Sequence, residues 1–200
     1  LAGMLTGLLA GCRAEPYNNL RPDASGAVRL DPRSNGRLRP GRLMHYLRDP
    51  SGKLDLAAVQ ARQADFRPVA GEYPNFGITE DAIWLRLDIQ LEDREDWLLE
   101  LAAPLIRQVD FYLMQDGRLV RHLQIKQATP IVRRSMPHQH YIVRLAGNTG
   151  SARIYLRTHS REATTMPTFL WRRSFFHYME PVRTFGFGLI FGLVMALALY

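Results

Sequence analysis

Lysine is scarce in this chain: Lys53 and Lys126 stand alone, and arginine supplies the rest of its 26 basic residues. Cysteine is scarcer still. With only Cys12, no disulfide can form within the chain, so a folded domain must be held by a hydrophobic core. Zinc-ligand spacing, a basic recognition helix and an aromatic RNA-binding motif are all missing, which argues against nucleic acid as a partner. A nucleophile elbow, a phosphate loop and a zinc-protease helix are missing too, so catalysis is not expected in these residues. The net charge of +7 is therefore an arginine charge. Guanidinium forks bind carboxylate and phosphate bidentately, but arginines scattered over solvated faces, as codon bias in a GC-rich genome gives, account for the surplus equally well.

Long apolar runs occur only at the two ends. "LAGMLTGLLAGC" reads as the apolar core of an export signal over residues 1–14. Leu9-Ala10-Gly11-Cys12 fits the lipoprotein pattern, with Cys12 lipidated; cleavage near Ala14 is the alternative, and both stay open. From Thr184 to Tyr200 no side chain is charged, and as a helix this run nearly crosses the ~30 Å hydrocarbon layer. A connecting helix and the start of a first transmembrane helix are thus expected over 173–200. Together the two ends place residues 15–172 outside a bacterial inner membrane, in the periplasm.

Residues 15–41 are rich in proline, glycine, asparagine and arginine and read as a linker. "RLMHYLRDPSGKLDLAAVQAR" gives a short strand, a turn at Asp49-Pro50-Ser51-Gly52 and a helix capped by Asp55. The period then changes to two: in "AIWLRLDIQL" Ile83, Leu85, Leu87, Ile89 and Leu91 share one face, while Trp84, Arg86, Asp88 and Gln90 share the other. Similar runs follow at "DWLLELA", "RQVDFYLM", "GRLVRHLQI", "HQHYIVRLA", "ARIYLRTH" and "MPTFLW". Short strands at this spacing predict an all-β domain, a β-sandwich or jelly roll, over 42–172.

The ordered set "YLRDPSGKLDLAAV", "FRPVAGEYPNFG", "AIWLRLDIQ", "WLLELAAPLIRQVDFYL" and "IYLRTHSREATTMPTFLW", followed by a glycine-rich apolar run, resembles the type 2 extracellular domain of bacterial seven-transmembrane receptors with diverse intracellular signalling modules. The resemblance covers about residues 42–172. It implies a jelly-roll sandwich similar to carbohydrate-binding modules, a helical membrane region, and a cytoplasmic output such as a diguanylate cyclase or histidine kinase.

The candidate ligand face joins two strands. Trp84, Arg86 and Asp88 share one face of the first, and Arg153, Tyr155, Arg157 and His159 share one face of "RIYLRTH". Rings that stack on apolar faces, beside forks that bond hydroxyls or acids, are what recognition of a sugar or small carboxylate uses. Trp84, Arg86, Asp88, Tyr155, Arg157 and His159 are the expected ligand-binding residues, on outward faces, with a small-molecule ligand as partner. His138 and His140 lie two apart, and His122 or His159 is the conceivable third metal donor; histidines on a strand edge are ordinarily solvated, and no metal or cofactor is expected. Asp88, Glu100 and Asp110 read as acids on exposed sheet faces. The main expectation is a sensory module that passes ligand binding to the membrane helix. The rivals are an interaction or homodimerisation module without a small ligand, and an envelope lipoprotein enzyme.

Overall fold

The computed structural model describes residues 20, 22–31, 34, 36–92, 96–134, 136–145, 149–160 and 163–199. The export-signal expectation and Cys12 lie outside them. Along the chain come β1 (Val28–Leu30), β2 (Arg37–Leu38), β3 (His45–Asp49), α1 (Leu56–Ala61), β4 (Arg67–Pro68), β5 (Asn75–Ile78), β6 (Ala82–Leu91) and β7 (Trp97–Leu101). Then follow β8 (Gln108–Gln115), β9 (Arg118–Lys126), β10 (Tyr141–Leu145), β11 (Gly150–His159), β12 (Ala163–Thr165), β13 (Thr168–Arg172) and α2 (Arg173–Leu199).

Two of these sheets share one core. The larger runs β4-β3-β6-β11-β8-β9, with β1 pairing parallel to the far end of β6; the smaller runs β10-β7-β13-β2, and β12 pairs with β5 as a separate ribbon. Period-two alternation decides what meets between them. Ile83, Leu85, Leu87 and Ile89 of β6, Val109, Phe111 and Leu113 of β8 and Ile154 and Leu156 of β11 pack with Trp97, Leu99 and Leu101 of β7 and Val143 and Leu145 of β10. Truncating any one of these to alanine is expected to cost roughly 2–5 kcal/mol.

The turn after β3 is built by one side chain. Buried Asp49 accepts from Ser51 Oγ at 2.5 Å and from the amides of Gly52 at 3.0 Å and Leu54 at 2.9 Å. Burial pushes its pKa up, but these hydrogen bonds together outweigh that and hold it below the usual carboxylate range. Gly52 has φ +61°, a left-handed value at which glycine carries no Cβ penalty. Asp55 then caps α1, accepting from the Ala58 amide at 2.8 Å.

One expectation is corrected here. The stretch read as a linker joins both sheets: Val28 and Leu30 are fully buried beside β6, and β2 pairs with β13. Two- and three-residue strands are too short to show a period, so their turn-rich surroundings dominated the sequence signal. At the other end, no helix among the described residues is long and apolar enough to cross a membrane. Helix α2 runs through the expected span, and its uncharged stretch Phe185–Leu199 is about 22 Å long.

The start of α2 is fastened to the outer face of the smaller sheet. Phe176 is buried with Leu98, Ile142, Phe169 and Trp171, and Phe175 and Met179 pack beside them. Asp96 holds the first turn through Arg173 Nη1 at 2.9 Å, and also pairs with Arg144.

Candidate functional site

Strand β11 lies between β6 and β8, and its register sets the predicted residues side by side. Arg157 stands opposite Trp84 on one flank and Asp110 on the other. Tyr155 stands opposite Arg86 and Tyr112, and Arg153 opposite Asp88 and Met114. The two faces read from the sequence are therefore one face of one sheet.

That face is covered at its centre, which corrects the expectation of outward exposure. Trp84 and Tyr155 are both 0% exposed, packed with Leu47, Val59, Phe66 and Met114 beneath α1. Trp84 stacks on Tyr112 at 5.6 Å between ring centroids, and Tyr112 stacks on His122 at 4.4 Å. The partner that an apolar ring on a polar face requires is supplied by the chain itself.

Beside this covered centre lies a polar network organised by Gln63, which sequence reasoning did not single out. Its Oε1 accepts from Arg86 Nη1 at 2.9 Å and Arg153 Nη1 at 3.3 Å, while its Nε2 donates to the Tyr155 hydroxyl at 2.9 Å. Asp88 pairs with Arg153 Nε at 2.5 Å and Arg86 Nε at 3.5 Å. These forks are largely committed to Gln63 and Asp88.

The open end of the face is where Arg157 and His159 emerge. There a cavity of about 510 Å³ is lined by Gly52, Arg107, Gln108, Lys126, Arg157 and His159 among others, and no acidic side chain among the described residues lines it. Arg157 Nη2 donates to the Gly52 carbonyl at 2.7 Å, which ties the Asp49 turn to the site. Behind it sits buried Asp110, whose carboxylate accepts from Gln108 Nε2 at 3.0 Å and Gln124 Nε2 at 2.8 Å and lies 3.7 Å from Arg157 Nη1. The expectation that Asp110 is an exposed sheet acid is thus corrected: it is an internal orienting group. Arg107 and Lys126 were missed because neither shares a strand face with the predicted set; the β8–β9 register, pairing Gln108 with Lys126, brings them in.

A second polar cluster lies on the opposite sheet. Glu100 is 2% exposed, not on a solvated face as its sequence context suggested. Its Oε2 accepts from Trp171 Nε1 at 2.6 Å, and its Oε1 lies 2.5 Å from His140 Nδ1. Burial pushes its pKa up, but the His140 and Trp171 hydrogen bonds together prevail and hold the carboxyl below its usual value. His138 is buried as well, against the expectation of a solvated strand edge, and its ring meets Phe176 edge-on at 5.7 Å. His140 and His138 have neither His122 nor His159 beside them as a grouped donor; Glu100 takes that place, with one potential ligand atom from each of the three within 4.8 Å of the others.

Solved structures with related chain paths include TmCBM61 in complex with β-1,4-galactotriose, at 12% identity and TM-score 0.40 over 70% of this chain and 100% of that one. A two-domain esterase active on acetylated mannans matches at 10% identity and TM-score 0.33, over 86% of this chain and 45% of the esterase. The same esterase with mannopentaose gives a TM-score of 0.30 at 10% identity, over 86% of this chain and 44% of that one. This chain thus spans less than half of the esterase's length. Curated proteins yield no match. Residues 41–172, the span that holds the candidate ligand face and both polar clusters, match the model of 7TMR-DISM extracellular 2, and the chain belongs to that family.

Proposed function

We propose that this domain is the ligand-sensing module of a bacterial multi-pass signalling receptor of the inner membrane, with residues 15–172 in the periplasm. Its ligand is a small carboxylate or an acidic, carbohydrate-like molecule. The observation that carries this reading is the open cavity at the end of the β6–β11–β8 face, where Arg107, Lys126 and Arg157 converge, with Arg157 backed by buried Asp110. Arginine forks and a lysine charge in one concave site suit a carboxylate, while Gln108 and His159 supply groups for hydroxyls. The chain resembles a jelly-roll sandwich in this reading, and its output is a cytoplasmic diguanylate cyclase or histidine kinase.

Transmission runs from the smaller sheet into α2, whose described side chains beyond Phe185 are apolar and exposed. A helix that is apolar all round calls for lipid or other helices as its surroundings. Ligand binding shifts that junction only through differential affinity for two arrangements, and a coupling of ~1–3 kcal/mol changes output 5- to 150-fold.

The full chain in detergent micelles, titrated calorimetrically with galacturonate, succinate and galactose, tests the ligand class. Galacturonate or succinate is expected to bind and galactose to bind more weakly or not at all. Arg107→Ala combined with Lys126→Ala should weaken the acid about tenfold. Galactose binding as tightly as galacturonate would overturn the anionic reading. A second reading, docking of a partner or second copy, draws on the exposed Leu119 and Val120 on β9, an edge strand of the larger sheet. A concentration-dependent dimer lost in Val120→Lys would favour it.

A further inference from the structure

We propose that Glu100, His138 and His140 form a binding site for a divalent transition-metal ion of the zinc class, seated where the smaller sheet receives α2. The three residues come from β7 and from the segment entering β10, and the β7–β10 pairing, which sets Ile142 opposite Glu100, fixes them together. One oxygen of Glu100 and one nitrogen of each ring lie within 4.8 Å of one another, close enough for a single ion to gather them with modest side-chain movement.

The donor set selects the ion. Two imidazoles and one carboxylate suit zinc and its neighbours, whereas calcium and magnesium require an oxygen shell that this site does not offer. The carboxylate is already oriented, because Trp171 Nε1 holds Oε2 and leaves Oε1 directed at His140. His138 Nδ1 accepts the backbone amide of His140 at 3.0 Å, so that nitrogen is unprotonated and binds the ion by exchanging this hydrogen bond for it. His140 donates its Nδ1 proton to Glu100; on coordination through that atom, the neutral ring carries its proton on Nε2 instead. The ion thereby replaces the His140–Glu100 hydrogen bond and the amide contact at His138 Nδ1, while the His140 proton moves from Nδ1 to Nε2.

The His140 side chain is 18% exposed, whereas Glu100 is enclosed. Trp171 bonds Glu100 and Phe176 packs on the His138 ring, so both of these ligands are backed by the aromatic cluster. An ion here joins the 138–140 segment to β7 and, through the Trp171 contact, to the strand from which α2 departs. Metal occupancy then stiffens the joint between the sandwich and its exit helix, independently of any ligand in the Arg157 cavity.

The test uses the untagged full chain in detergent micelles, stripped with a chelator, and titrated with cobalt(II) and zinc(II). One equivalent of cobalt is expected to give the intense visible absorption of a four-coordinate site, displaced by zinc, with a shift in Trp171 fluorescence. His138→Phe keeps a ring against Phe176 while removing both nitrogens, and should weaken binding at least about tenfold. Glu100→Gln keeps an acceptor for Trp171 and should weaken it comparably. His122→Ala and His159→Ala should bind as the parent does. Circular dichroism and thermal melting establish that each variant is folded. Failure of the folded parent to bind cobalt, or equal binding by His138→Phe and Glu100→Gln, overturns the site.

Discussion

Trp84 and Arg157 are cross-strand partners on β6 and β11, with the guanidinium carbon 5.8 Å from the indole ring, yet they face different surroundings. Trp84 is sealed beneath α1, and Arg157 looks into the open cavity. The boundary between the buried centre of this sheet face and its open end runs between these two neighbours.

Trp84→Ala should therefore act on stability. Removing a fully buried indole, with its stack on Tyr112, is expected to cost about 3–5 kcal/mol. Urea unfolding followed by circular dichroism measures this. A loss under about 1 kcal/mol would show that the cluster beneath α1 is not a packed core.

Asp49 makes the cavity wall sensitive to acid. Its folded pKa lies below the unfolded value, so its contribution is present above the ordinary aspartate range and is lost as pH falls through the depressed folded value. Asp49→Asn should destabilise the chain by about 1–3 kcal/mol at neutral pH, with the difference from the parent shrinking below about pH 3.8. Melting curves across that range check it, and a difference independent of pH would remove the carboxylate's role.

Much of this arrangement was legible in the sequence, for reasons that mark where legibility ends. The alternation in β6 gave its full extent and the correct division of Ile83, Leu85 and Leu87 from Trp84, Arg86 and Asp88, because side-chain direction follows from local backbone geometry. Asp55 and the Asp49 turn were readable because their hydrogen bonds close within five residues. What covers a face is not local. Val59 and Phe66 reach Trp84 from a separate segment, so an outward residue became a buried one. Gln63 joins Arg86, Arg153 and Tyr155 across as many as 92 residues of sequence, and Glu100 meets His140 across 40. Such pairings depend on sheet register, which no period reveals.

The most direct test of ligand sensing is hydrogen–deuterium exchange on the full chain in micelles, with and without saturating galacturonate. Protection is expected in the peptides carrying Gly52 to Leu54, Arg107 to Asp110, Gln124 to Ala128 and Arg157 to His159, the segments around the Arg157 cavity. It should vanish in Arg157→Ala. Unchanged exchange in these segments, or protection confined to the separate cavity lined by Gln60, Asp116 and Arg153, would contradict the account.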